Sequence, residues 1–439
     1  MTMHFQERTD IQSWGRVGKR VHRVAQPRFP VDVRRWNRLA ESGLAVGSRR
    51  SYSDVCLCDG GQIVDMTGLD RFITFDPATG VLVAEAGVTI DALLKTLVPL
   101  GYFVAVTPGT RFVTLGGAVA NDVHGKNHHW SGTFGRHVRG LVLERSTEGT
   151  LLVGPDAHHE LFGATVGGLG LTGIITEVEL QLQRIESSQL DVETVPCQNL
   201  AEVCHELEAS DGFEHSVAWV DCTASGESVG RGIVTRANWA RDGILDPHGP
   251  AKRSMPTDRV GALLNPLSLR AFNRLYHARS KLRQRRTRSH YNAFLYPLDS
   301  ILHWNRLYGR EGFYQFQCVV PDRAGQGAVR ELLKQIAKSG EGSFLAVLKR
   351  FGDVPSPGLL SFPMPGLTLA LDFRNRGQAT VDLLARLDSV VLEAGGRHYP
   401  AKDMRLPVEA FRQGYPTLES FSRFIDPRCR SDFWKKVTA

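Results

Sequence analysis

The sequence predicts an α+β protein in two parts, and three observations carry that prediction. From about Pro30 to Gln183 the chain is dense in glycine and in short β-branched runs. After Gln183 longer alternating runs take over, interleaved with two helical stretches at 323–339 and 378–395, the texture of an antiparallel sheet packed against helices. The closing stretch returns to a mixed texture and is expected to rejoin the first part. The expected units are therefore residues 1–185, 186–397 and 398–439.

In chain order, Gln62–Met66 and Val81–Ala86 read as strands. Thr89–Leu100 reads as an amphipathic helix, with Leu93, Leu94, Leu97 and Val98 on one face and Gly101 as its stop. Glu160–Val166 reads as a short helix and the alternation from Ile174 to Leu180 as a strand. In the second part, Ser216–Val220, Phe313–Val320 and Gly366–Phe373 alternate as strands. The stretch Gly261–His290 mixes leucines and Phe272 with a dense basic run. It reads either as a solvated loop or as a segment that meets anionic lipid or a polyprenyl phosphate.

Hydrophobic residues make up 42% of the 439, enough for a sizeable core. The 53 basic and 46 acidic residues give a net charge of +7, too dilute to imply nucleic acid, and aromatic residues are sparse in the basic run. Seven scattered cysteines with no CxxC pair are expected to be reduced thiols. The opening MTMHFQERTDIQSWGRVGKR lacks an export-type apolar core, and no apolar run approaches the ~18 to 20 residues of a membrane span. A cytoplasmic protein, peripheral on the inner membrane at most, is the expectation.

Gly168, Gly170 and Gly173 fall at G-x-G-x-x-G spacing, but the helix precedes them and the strand follows, the reverse of a dinucleotide-binding βα turn. The glycines are better read with two other segments, Val46–Asp54 and Thr107–Ala118. Together they offer backbone amides and small hydroxyls in tight turns, as a phosphorylated cofactor requires. His124-Gly125-Lys126-Asn127-His128-His129 has no carboxylate or cysteine at ligand spacing, so no metal is expected there.

The runs TPGTRFVTLGGAVANDVHGKNHHWSGTFGRHV and ELFGATVGGLGLTGII resemble the vanillyl-alcohol-oxidase-type FAD-binding family. Within it they are similar to the branch that oxidises a polyprenylphosphoryl-β-D-ribose. The resemblance extends from about Ser42 to Asp426 and includes HYNAFLYPLDSILHWNRLYG and HYPAKDMR. It implies a two-domain FAD-binding fold with an antiparallel-sheet substrate domain, and FAD as cofactor. Gly47, Ser51, Tyr52, Pro108, Gly109, Thr110, Gly116, Gly117, Asn121, Gly125, Gly168, Gly173, Ile174, Tyr399 and Lys402 would line the cofactor. It further implies that the 2-hydroxyl is oxidised to a ketone, with an NAD(P)H-dependent keto-reductase partner completing epimerisation to the arabinose donor.

Lys402 is the candidate cation that favours the reduced flavin. Tyr52 would lie near the flavin, and His124 and Lys126 beside the substrate. Gln315 and Gln317 share one face of their strand, and with Lys349 are plausible ribosyl-phosphate contacts. No Asp or Glu presents itself as general base, leaving His124 or a solvent relay. The sequence departs from the family in several places. Arg49 stands where glycine is usual, and Arg50 where many relatives carry a flavin-tethering histidine, so non-covalent FAD is expected. Ala370 stands where mycobacterial members have a cysteine, and Leu367-Thr368 replaces a Trp-Asn pair. A soluble aldonolactone or alditol oxidase, and a non-catalytic FAD-stabilised scaffold, are the competing readings.

Overall fold

The computed structural model describes residues 3–39, 42–251, 253–258, 265–282 and 285–438. The first part of the chain forms two sheets. A four-stranded sheet runs Gln6–Arg8, His22–Ala25, Gln62–Asp65, Gly43–Val46, with its last three strands parallel. An antiparallel sheet is centred on the long strand Ile174–Arg184. Val81–Glu85 and then Phe72–Asp76 flank it on one side, Val138–Arg145 and then Gly149–Val153 on the other, and Tyr102–Val104 pairs with its last residues.

The amphipathic helix spans Ile90–Leu97, capped by the Thr89 hydroxyl, which accepts from the Ala92 amide. A 3-10 turn continues it to Leu100, and Gly101 ends it at φ 78°, a conformation that costs glycine little. Leu93, Leu94 and Leu97 are fully buried against Leu82, Leu141, Leu143, Val178 and Leu180.

An eight-stranded antiparallel sheet dominates the second part. Its order is Arg286–His290, Gln189–Cys197, Gly232–Trp239, His215–Val220, Val347–Phe351, Gly366–Arg374, Phe313–Pro321, Arg397–His398. Because strand side chains alternate faces, Phe316, Cys318, Val320, Leu348, Leu369, Leu371 and Phe373 point one way. They form a core with the helices Gly325–Ser339 and Gln378–Glu393 through Leu332, Leu333, Ile336, Leu383, Leu384 and Leu387. The opposite face is free to carry chemistry.

The end of the chain is stitched to the first part. Tyr52 donates its amide to Ala401, Ser53 its hydroxyl to Pro400 (2.6 Å), and Gly43 exchanges backbone bonds with Arg428 and Arg430.

Of the two readings of the basic stretch, the solvated loop is not the form its described residues take. Residues 261–264 and 283–284 lie outside the described residues. The remainder forms a helix, Pro266–Ser280, opened by an Asn265–Ser268 capping box, and then the edge strand Arg286–His290. The helix escapes a hydrophobic-periodicity reading because its amphipathicity is inverted. Asn273, His277 and Ser280 are buried, bonding Asp221, the Cys197 carbonyl and the His277 carbonyl, while Leu267 and Leu275 are 77% and 67% exposed. Among the described residues no helix is long and apolar enough to cross a membrane.

Candidate active site

A cavity of about 710 Å³ lies between the glycine turns and the free face of the eight-stranded sheet. At its first-part end, the turns of residues 46–52, 107–110 and 114–117 converge. Gly47 lets two of them touch, since a Cβ there would come within 2.1 Å of Thr114 Oγ1. Gly109 is the opposite case: a Cβ would meet nothing within 4 Å, so the wall there leaves space. Among the described residues, the amides of Ser48 to Ser51, Gly109 and Thr110 donate to no protein acceptor, leaving them available to an anion. Asn121 gives its amide to Gly117 O (2.8 Å), and its buried Oδ1 has no partner.

Arg49 resolves one departure from the family pattern. It sits at φ 52°, the left-handed conformation that favours glycine, and an ion pair with Asp65 (3.1 Å) holds it there. Arg50 stacks over Trp14, its guanidinium 4.1 Å from the ring centroid and 5.2 Å from that of Phe112.

At the sheet end, alternation directs Gln315, Gln317, Lys349, Ala370 and Asp372 into the cavity. Asp372 brings a carboxylate into this end of the cavity, where the sequence offered no Asp or Glu as general base. It accepts from Gln315 Nε2 (2.7 Å) and from the Tyr308 hydroxyl (3.3 Å), and burial pushes its carboxyl up to about 6 against the pull of Gln315 and Lys402. The alternation that places Ala370 on this face also places Asp372, which was the available signal. Lys402 lies with its Nζ 3.9 Å from the Tyr52 ring centroid, and burial lowers its ammonium to about 8. It is not paired with Asp403, whose carboxylate is held by Arg405. Tyr399 donates to Asn121 O (2.7 Å) and stacks on Phe362.

The HGKNHH run divides. His124, Gly125 and Lys126 line the cavity. His124 Nδ1 meets Lys349 Nζ at 3.2 Å and its Nε2 lies 3.0 Å from the Gln317 amide nitrogen; burial, reinforced by Lys349, holds the ring neutral, well below its ordinary range. His128 packs on Phe351, and His129 donates to Phe213 O. Burial lowers Lys126 and Lys349 to about 7, and no carboxylate contacts either among the described residues. One trio, Asp388, His398 and Asp403, is close enough to share an ion, but Arg405 already bridges both of its carboxylates.

Of the residues expected to line a cofactor, Gly168 and Ile174 do not reach the cavity. A Cβ on Gly168 would lie 2.1 Å from Ala164 O, so this glycine serves close backbone packing. Ile174 points into a small core with Val33, Trp36 and Val64, while Ile175, one step along the strand, faces the cavity. Gly170, at φ 75°, lines it in place of Gly168. The remaining expected residues all line it.

Residues 22–154 match the FAD binding domain family. Over 439 residues the chain is 35% identical to decaprenylphosphoryl-beta-D-ribose oxidase of Mycolicibacterium smegmatis, covering 95% of this chain and 94% of that protein. The L-gulono-1,4-lactone dehydrogenase of Mycobacterium tuberculosis is 30% identical over only 31% of each chain. A putative D-arabinono-1,4-lactone oxidase of Neurospora crassa is 27% identical over 35% of this chain and 28% of that protein. The free amides, the space beside Gly109 and the unpartnered Asn121 oxygen suit FAD, which is the cofactor of this protein. By its near full-length match, the chain belongs to the decaprenylphosphoryl-β-D-ribose oxidase family of FAD-dependent oxidoreductases.

Proposed function

We propose that the protein oxidises the 2-hydroxyl of a polyprenylphosphoryl-β-D-ribose to the 2-keto sugar, the first half of epimerisation to the D-arabinofuranose donor. A separate NAD(P)H-dependent keto-reductase completes it. One observation carries this reading: a single cavity joins the glycine turns, two half-buried lysines that have no counter-ion among the described residues, and an apolar mouth of Trp219, Phe272 and Tyr276. A sugar phosphate with a hydrocarbon tail has the matching sequence of chemistries, whereas a soluble polyol needs neither the lysines nor the mouth. In this reading residues 1–185 and 398–439 form the FAD-binding domain and 186–397 the substrate domain.

FAD, when bound, supplies the two-electron acceptor for the carbinol carbon. Lys126 and Lys349 hold the substrate phosphate, which restores their full charge. Gln315 and Gln317 orient the ribose, His124 braces Lys349 and Gln317, and Asp372 takes the hydroxyl proton on its carboxylate. Tyr52 and Tyr399 wall the cofactor end. Asp372 works only when ionised, so turnover is expected to fall as pH drops through about 6. Asp372→Asn is expected to lose about a hundredfold or more in kcat and to abolish that limb of the profile. A variant that keeps both would remove Asp372 from this role.

The exposed leucines beside the mouth give the tail, and the membrane that carries it, a peripheral contact. Vesicle flotation tests this: Leu267→Ser with Leu275→Ser is expected to weaken flotation, and undiminished flotation would dismiss the contact. The function itself is tested by anaerobic mixing with farnesylphosphoryl-β-D-ribose. Bleaching of the visible flavin band with recovery of the 2-keto sugar is expected. Bleaching by free aldonolactones or alditols instead would assign a soluble-sugar oxidase. With Arg50 in place of a tethering histidine, FAD is expected to leave the protein on denaturation, and colour retained in the precipitate would contradict that.

A further inference from the structure

We propose that the protein carries a second anion site, for a phosphate group, on the flank of the mouth helix opposite the substrate cavity. A separate cavity of about 420 Å³ lies between the helix Pro266–Ser280, the helix Gly325–Ser339 and the turn at 223–231. Five cations line it: Arg231, Arg270, Arg274, Lys334 and Lys338. The turn adds the hydroxyls of Ser225 and Ser228, and no carboxylate is among the lining residues.

The nearest acid in the network is already committed. Asp221 is fully buried and accepts two bonds from Arg231 (3.0 and 2.6 Å), two from the amide and hydroxyl of Thr223 (3.0 and 2.6 Å) and one from Asn273. It therefore neutralises Arg231 alone. Among the described residues, Arg270, Arg274, Lys334 and Lys338 form no ion pair. They stand at i,i+4 spacing on their two helices, so each helix places like charges side by side, an arrangement that costs stability in isolation. A bound phosphate offsets both repulsions and accepts hydrogen bonds from guanidinium, ammonium and hydroxyl at once.

The helix connects this site to the other cavity. Arg270 and Arg274 face the basic cavity, while Phe272 and Tyr276, between and beyond them in sequence, line the substrate cavity. Leu267 and Leu282, 77% and 88% exposed, flank the same helix. The phosphate belongs either to an anionic phospholipid headgroup at the membrane or to a soluble phosphate, and the charge chemistry is common to both. This site does not depend on the substrate reading, since none of its residues touches the reacting cavity.

The test compares the FAD-loaded protein with its Lys334→Ser, Lys338→Ser variant, which is expected to keep wild-type oxidase activity. Thermal unfolding with added inorganic phosphate, and flotation with vesicles of phosphatidylglycerol or phosphatidylcholine, are measured for both. A rise in Tm with phosphate that disappears in the variant assigns the site to soluble phosphate. Flotation with phosphatidylglycerol but not phosphatidylcholine, weakened at least tenfold in the variant, assigns it to the headgroup. Should the lysine variant fold poorly, Arg270→Gln with Arg274→Gln gives the same comparison from the other helix. Variants that respond to phosphate and to both vesicles as the parent does would overturn the proposal.

Discussion

Replacing Lys402 by methionine is expected to slow oxidation of the lipid-linked ribose by roughly a hundredfold to a thousandfold, the cost typical of removing one preorganised electrostatic group. The side chain is held in the cavity with its Nζ over the Tyr52 ring, and among the described residues no carboxylate contacts its ammonium. Burial has already lowered it to about 8, so at neutral pH it is a poorly solvated cation poised beside the cofactor end. Such a charge favours the state in which the substrate's electrons have arrived, and methionine fills the same space without it. The effect should appear in the rate of flavin reduction in single-turnover mixing, with FAD affinity and Tm little altered. A methionine variant that reduces at the parental rate, or one whose only defect is a lower Tm, would make Lys402 a structural residue.

Arg111→Ala is expected to destabilise the protein by about 3–5 kcal/mol, the range for removing one partner of a buried ion pair. Arg111 is 1% exposed and ties three regions together: its Nε donates to Asp91 (2.6 Å) and its Nη1 to Asn292 (2.7 Å), and its amide donates to Asp299 (2.8 Å). Its guanidinium also lies 3.6 Å from Asp299. Asp91 retains Lys95 and His248 after truncation, but buried Asp299 loses its nearest cation. The turn that bears Pro108, Gly109 and Thr110 is anchored through this arginine, so FAD should dissociate at lower denaturant than in the parent. Chemical denaturation followed by flavin and tryptophan fluorescence would show both. Coincident, unshifted transitions would mean that Asp91 and Asp299 find other partners or water.

The sequence was most legible where a local rule governs. The glycine turns, the amphipathic helix ending at Gly101 and the shared face of Gln315 and Gln317 follow from backbone freedom and from the two periodicities. It was least legible where the environment comes from distant chain. Gly168 fits a motif spacing yet serves packing against Ala164, and Ile174 was separated from Ile175 only by which sheet face met the cavity. Asp372 drew no notice in the sequence, because its environment depends on Gln315 and Tyr308 brought from another strand and a turn. The helix Pro266–Ser280 was not legible as a helix because its inward side is polar, satisfied by Asp221 and a carbonyl that local patterning does not reveal.

The stitching of residues 398–432 onto the first glycine turn also orders events during synthesis. The turn at Gly47–Tyr52 can form early, but the amide of Tyr52 and the hydroxyl of Ser53 find their acceptors at Ala401 and Pro400, the latter 347 residues further along the chain. Until those emerge, the pocket lacks Tyr399 and Lys402 and stands open on that side. A chain in which residues 399–402 are not yet docked is therefore expected to be open to FAD from that side. FAD should accordingly leave more slowly once residues 398–403 are docked than before, since Tyr399 and Lys402 then wall that side.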